Sequence, residues 1–489
     1  MPALPTLPAL PDLASPPSGQ LIELAPELLE LILSFLKPAD LASFARTCRR
    51  ASAFIRPNNH ILWRAAFLHL FDDPAHAWAL LLPTARAANR PREASWDWYA
   101  QLKRRLRAYR AVCDQTDAAL LLNPEPTVTA LLDILDTASY STLTRDGAVS
   151  LNLDYLDRLF RVAPSPERIV HDYHRDLKSA SLPRDLLVDP DRPMTRSMLG
   201  RATPIPEWAS RFHVFYGMTE REEDSSQSKA GARAIVYDWN VTGEDADFGP
   251  FVKDGSGNVD WKTLEAISSL MHRIFDIARN SILQSPCGFR NSIPNLLPVI
   301  VSAPHDWAGV TRTWVGTYAF LDYRALVQYN FANANLEYTM DLGGNEEACG
   351  DLMRLELRIS DSKELHQDHR LQSDLPYCKD RPKLYFKGTS RGRPSSRPPI
   401  QVRGAVWLVP SGRQVHWRFI ISYAGADQWQ LEGAQPGGIR SGAIYGLWSH
   451  VDHDEHGPMG PFYYAPFDLC EPPMFEDDPP PSYNDAQQG

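Results

Sequence analysis

The sequence predicts an α+β chain: a three-helix module at the N-terminus, a helical connecting region, and a C-terminal β-rich barrel or sandwich with one amphipathic helix. Three observations predict it. Apolar residues recur at helical spacing between Glu27 and Trp63, and amphipathic stretches broken by proline continue to about residue 205. After Pro206, aromatic and β-branched runs separated by glycine and proline take over.

The first helix is the most telling element. Between Glu27 and Leu36, Leu28, Leu29, Leu31, Ile32, Leu33, Phe35 and Leu36 cover most of the circumference at about 100° per residue, so this helix needs two burial partners. Leu41, Phe44, Ala45 and Cys48 place a second helix behind it, with Asp40 as its cap and Pro57 beyond its end. Asn58 or Asn59 caps a third, carrying Ile61, Leu62, Trp63 and Leu68. So small a unit cannot bury both faces of the first helix, which leaves an apolar surface for another protein.

This segment resembles the F-box family. Leu24, Pro26, Glu27, Leu28, Leu29, Ile32, Leu33, Leu36, Asp40, Leu41, Cys48, Arg49, Leu62 and Trp63 fill most of the family's pattern, with Ala25 at a place usually held by proline. The resemblance implies docking on a Skp-type adaptor, and through it on cullin and RING subunits of a ubiquitin ligase. Leu24, Pro26, Glu27, Leu28, Leu29, Ile32, Leu33, Leu36, Leu41, Cys48 and Trp63 are then the expected adaptor-binding residues, and the rest of the chain chooses a protein client. Two other functions compete: an adaptor-bound scaffold outside any ligase, and a barrel that binds a small ligand.

Residues 1–20, with Pro2, Pro5, Pro8, Pro11, Pro16 and Pro17, read as a disordered lead, followed by the F-box over 21–70. Residues 71–205 form the connecting region, with helices expected over Trp78–Leu82, Trp96–Val112, Thr127–Leu135 and Leu153–Val162. Lys103, Arg104, Arg105, Arg107 and Arg110 give the second of these a basic face, read as solvated. The β-rich domain spans 206–468. Strands are expected at Phe212–Tyr216, Ala234–Trp239, Val299–Ser302, Thr311–Tyr323, Leu352–Ile359, Leu384–Phe386, Val402–Val409, Val415–Tyr423 and Ile439–Trp448. One helix, capped by Asp260, carries Trp261, Leu264, Ile267, Leu270, Met271, Ile274, Phe275 and Ala278. Trp314–Tyr318 and Tyr445–Trp448 both set glycine among aromatics, a pattern that permits a bulge or a tight sheet bend. The glycine-rich runs at 425–433, 437–441 and 457–462 are similar to the downstream region of fungal F-box proteins.

In the tail, 469–489, Pro480, Pro481 and Tyr483 form a proline-proline-any-tyrosine pattern of the kind WW domains accept as a preformed polyproline II segment. A HECT-type ligase is the partner this suggests.

Composition sets the outer limits. With 489 residues the chain has room for about two to four domains. Sixty acidic against 50 basic side chains give a net charge of −10, which argues against broad nucleic-acid binding. The six cysteines lack metal-ligand spacing and no secretory signal precedes them, so reduced thiols and a cytoplasmic or nuclear location are expected. No stretch approaches the roughly 18 apolar residues of a membrane helix.

Catalytic, metal and cofactor chemistry find little support. Asp254, Ser256, Asn258, Asp260 and Glu265 follow EF-hand spacing, yet Val259 stands where the loop needs glycine. His450, His453 and His456 with Asp452, Asp454 and Glu455 are read as a solvated loop, and His171 with His174 as a polar helix face. No nucleophile elbow or phosphate loop accompanies them. The expectation is a non-enzymatic protein without a cofactor.

Overall fold

The computed structural model describes residues 21–113, 124–139, 150–163, 207–334 and 342–470, except 220, 221, 224, 242, 279–282, 287, 343, 351 and 392–399. The Pro-rich lead, His171, His174 and the tail pattern Pro480, Pro481 and Tyr483 lie outside the described residues. The chain divides into two compact units, one comprising 1–71 with 96–103, the other 72–95 with 104–489.

In the first unit four short helices follow one another: α1 (Pro26–Ser34), α2 (Pro38–Ala45), α3 (Arg49–Phe54) and α4 (His60–Leu68). The single helix expected between Asp40 and Pro57 is broken at Cys48, whose extended backbone starts α3 while its Sγ accepts from the Ala51 N–H. Asp40 sits in the first turn of α2 without capping it, whereas Asn59 does cap α4, accepting from the Leu62 N–H at 3.2 Å. Leu29, Leu33, Leu41, Ala51, Leu62, Ala66 and Phe67 form the interior. Trp63 packs on Tyr99 (4.7 Å between centroids), and Phe67 on Phe71, Trp96 and Trp98.

In the second unit the expected helices of the connecting region are present as Pro74–Leu80, Glu125–Asp136 and Leu151–Val162, together with Pro83–Ala94. The basic helix Trp98–Cys113 is less solvated than its charge suggests. Arg104 pairs with Asp133, to which Arg92 also donates, and fully buried Arg105 donates to Thr137 Oγ1 at 2.7 Å.

Among the described residues nine strands follow: β1 (Thr313–Phe320), β2 (Ala348–Cys349), β3 (Met353–Ile359), β4 (Leu384–Arg391), β5 (Ile400–Leu408), β6 (Val415–Tyr423), β7 (Ala426–Gln435), β8 (Ile444–His450) and β9 (Met459–Pro466). From β3 to β9 each strand pairs antiparallel with the next. β1 joins both ends, Val315 facing Arg354 of β3 and Ala465 of β9, so the sheet closes into a barrel and only β2 stays outside, extending β1 at Ala319. Closure removes the free sheet edges that would otherwise invite association.

Strand alternation fills the barrel. Trp314, Phe386, Trp417, Phe419, Phe462 and Tyr464 point inward and are buried, with Trp314 and Trp417 edge to face at 5.1 Å. The glycines among the aromatics explain how strands approach such rings. A Cβ on Gly316 would run into the Tyr463 carbonyl and the Tyr464 ring, and one on Gly446 into the Glu432 carbonyl and the Phe462 ring. These side chains pack against one another as one buried cluster within the barrel.

Helix Trp261–Ala278 is present with Asp260 as its cap; the Asp260 carboxylate accepts from the Lys262 and Thr263 N–H groups. It lies against β1, β8 and β9 and is flanked by helices Glu207–Tyr216 and Ser226–Val236, so it is buried nearly all round. Those two flanking helices correct the strands expected at Phe212–Tyr216 and Ala234–Trp239. A short apolar run looks the same in a buried helix and a buried strand, and here packing against Trp261–Ala278 favours the helix. Val299–Ser302 is no strand either: it is a turn in which Val301 is 94% exposed.

Candidate functional site

Helix α1 has two apolar faces with different fates. Leu29 and Leu33, four apart, are 2% and 0% exposed, whereas Leu28, Leu31, Ile32 and Phe35, at i, i+3, i+4 and i+7, are 53%, 56%, 40% and 71% exposed. Leu24 and Ile61 are exposed as well. The result is a continuous greasy stripe on a helix whose other side is already satisfied.

Pro26 opens α1 at its first position, where its missing N–H costs no hydrogen bond. At the far end, the Ser34 carbonyl and His69 Nε2 meet at 2.6 Å, tying the end of α1 to the residue after α4. The Trp63 indole N–H donates to the Arg56 carbonyl at 2.8 Å. Cys48 is exposed, and the Ala51 N–H holds its thiol below the usual range.

The expected adaptor-binding residues therefore separate. Leu24, Pro26, Glu27, Leu28, Ile32 and Cys48 are exposed and Leu36 is half-buried. Leu29, Leu33, Leu41 and Trp63 are interior, for a simple reason: a helix of this size must spend one face on its own fold, and these residues hold the helices together. Leu31, Phe35 and Ile61 are exposed as well and lie outside the expected set. The i, i+3, i+4, i+7 spacing of Leu28, Leu31, Ile32 and Phe35 was the available signal.

A family model described as F-box-like matches residues 26–69, the span of α1 to α4. The chain carries an F-box-like domain. No curated protein and no solved structure matches the chain. The F-box-like domain supports binding to a Skp-type adaptor. Among the described residues, no helix is long and apolar enough to cross a membrane.

The second unit holds two buried polar clusters that the sequence did not announce. In one, Asp247, His416 and Glu432 bring ligand atoms within 4.8 Å of one another, the right residue types for a metal. The geometry fits an arginine instead. The Arg418 guanidinium donates to Glu432 and lies 3.0 Å from Asp247, while Glu432 also meets His416 Nε2 at 2.6 Å. Burial lifts the Glu432 carboxyl to about 7 against the pull of Arg418, and keeps His416, stacked between Phe251 and Trp407, neutral. This cluster pins the 244–260 segment to the outer wall of β6 and β7.

In the other cluster, His213 lies between two carboxylates, Nε2 at 2.8 Å from Glu222 and Nδ1 at 2.7 Å from Glu265. Burial opposes a charged imidazole there, but Glu222 and Glu265 prevail and raise its pKa to about 10. Glu265 thus serves this cluster, and Asp254 accepts from the Ser256 N–H at 2.8 Å in its own turn, so the EF-hand spacing carries no ligand set. The three loop histidines also have separate partners. His453 stacks on Phe248 at 3.6 Å, His456 packs on Phe331 and Trp239, and His450 faces Asp452 and Asp454.

Proposed function

We propose that the chain is the client-recognition subunit of a Skp–cullin–F-box ubiquitin ligase. The observation that carries this is the stripe Leu28, Leu31, Ile32 and Phe35, left exposed on an otherwise well-packed F-box. Covering each such side chain gains about 1.5–3 kcal/mol, enough in sum for specific docking. The adaptor bridges to cullin and RING subunits, and the barrel unit holds the client. Catalysis is then proximity: client lysines are kept at high local concentration beside a charged conjugating enzyme, and this chain needs no reacting group of its own.

Such a ligase works in the cytoplasm or nucleus, and Pro480, Pro481 and Tyr483 would add a WW-domain protein as a further partner. Affinity purification under proteasome inhibition tests the reading. Adaptor, cullin and RING subunit should co-purify with the intact chain and all be lost when Leu28, Leu31, Ile32 and Phe35 are changed to serine. Recovery of adaptor without cullin would point to a scaffold outside any ligase.

A further inference from the structure

We propose that Lys383, set against Tyr377 and Trp407 on the outer wall of the barrel, is a reactive amine that accepts an acyl group from a small acyl thioester. This site is independent of the client-recognition reading.

Lys383 stands just before β4, and its ammonium rests on two rings: Nζ lies 4.6 Å from the centroid of Tyr377 and 4.6 Å from that of Trp407. Trp407 is buried in an outer-wall cluster with Tyr385, Ala405 and Ile420, while Lys383 is half-buried and keeps one side open to solvent. The other cations of this wall are paired. Arg403 is held by Asp368 and Asp427, and Arg418 by Glu432 and Asp247. Lys383 differs: among the described residues, no carboxylate, carbonyl or hydroxyl comes within hydrogen-bond reach of its Nζ.

Its surroundings activate the amine. Partial burial disfavours the ammonium, and the Arg418 guanidinium, 5.6 Å from the same Trp407 ring, repels it. Asp247 pulls the other way but is already paired with Arg418, so the pKa of Lys383 is held below the usual lysine value. The rings attract the cation, modestly while one side of it stays in water. A lysine partly desolvated by apolar walls and placed beside a second cation is an activated nucleophile.

The same surroundings select acyl transfer over imine formation. An imine forms through a carbinolamine whose water is expelled with the help of acid and base groups, and none of the described ones reaches Nζ. Acyl transfer needs only the free amine. Its lone pair attacks the thioester carbonyl carbon, the C–N bond forms as the C–S bond breaks, the thiolate departs, and the amine proton passes to water. The product is a neutral amide that can rest on Tyr377 and Trp407 at a lower desolvation cost than the ammonium, and the like charge beside Arg418 is gone.

The test incubates the folded full-length protein with acetyl-coenzyme A at pH 7.5 and follows acetylation of each lysine by isotope-ratio mass spectrometry. Exposed Lys363 and Lys379 serve as internal references. Lys383 should be acetylated about threefold faster than either, or more, and its rate should level off at a lower pH than theirs. In urea the three rates should converge. Equal or slower labelling of Lys383 in the folded protein would overturn the inference, as would a pH midpoint no lower than that of the references. A lead that persists in urea would overturn it too, because that lead would belong to the local sequence and not to the ring walls and Arg418.

Discussion

His213 and Glu222 form a buried pair, imidazole Nε2 to carboxylate at 2.8 Å, that joins helix Glu207–Tyr216 to the short segment after it, with Glu265 of helix Trp261–Ala278 on the other ring nitrogen. His213 has its pKa raised from 6.5 to about 10, so its contribution is complete below about 6.5 and disappears as pH rises through about 10. Glu222 is held far below its usual 4.5 by His213 despite burial, so its contribution is present above 4.5 and disappears as pH falls toward the depressed folded value. The pair therefore stabilises the second unit across a plateau between these limits. Replacing His213 by Gln should cost about 3–5 kcal/mol at pH 7, and the melting temperature of the variant should lose the wild-type decline on the alkaline side. Thermal melts from pH 4 to 10 measure both. An alkaline limb unchanged in the variant would exclude His213 as its source.

Arg418 should matter in a pH-dependent way. Removing it as Arg418→Met leaves Glu432 buried beside His416 with no cation, at a cost of up to about 3–5 kcal/mol once the pH is high enough to ionise the carboxyl. Glu432 already titrates near 7, above its ordinary 4.5, and without Arg418 it climbs further. A raised carboxyl weakens the fold as pH increases from about 4.5, so the deficit should be small at pH 5.5 and large at pH 8. Urea unfolding at the two pH values decides it, and an equal deficit at both would place the role of Arg418 elsewhere.

Barrel closure depends on the absence of a side chain at Gly316. Gly316→Ala drives a methyl group into the Tyr463 carbonyl and the Tyr464 ring, and should destabilise the unit by about 1–3 kcal/mol or more. Gly425, whose added Cβ would meet nothing, sits at φ +86° and provides the contrast: Gly425→Ala is penalised by its backbone alone, at about 1–2 kcal/mol. Denaturant midpoints for the two variants rank steric closure against turn strain.

Much of this was legible because it is local. The spacing in Glu27–Leu36 gave a helix with two apolar faces, Asp260 marked a helix start, and glycine among aromatics at Trp314–Tyr318 anticipated a crowded, bent sheet. Elements read poorly where a neighbour supplied the deciding contact. β7 was hidden because Gln430 and Glu432 are polar on a face buried under the 244–260 segment. β9 was hidden because Pro461 and Pro466, near its two ends, are poor strand residues. Phe212–Tyr216 became a helix through its packing on Trp261–Ala278. The exposed face of α1 was half read: motif positions do not distinguish Leu29 and Leu33, which hold the fold, from Leu31 and Phe35, which face outward.

That distinction also supplies the most direct measurement of the central claim. Leu33→Ala should lower stability of the F-box by about 2–5 kcal/mol, a cavity cost. The quadruple change of Leu28, Leu31, Ile32 and Phe35 to serine should leave the melting curve within about 0.5–1 kcal/mol of the parent. Isothermal titration of both proteins with purified Skp adaptor is then decisive. A folded quadruple variant that binds about 100-fold more weakly, or not at all, is the predicted result; adaptor affinity unchanged in that folded variant would contradict the assignment of this stripe as the docking face.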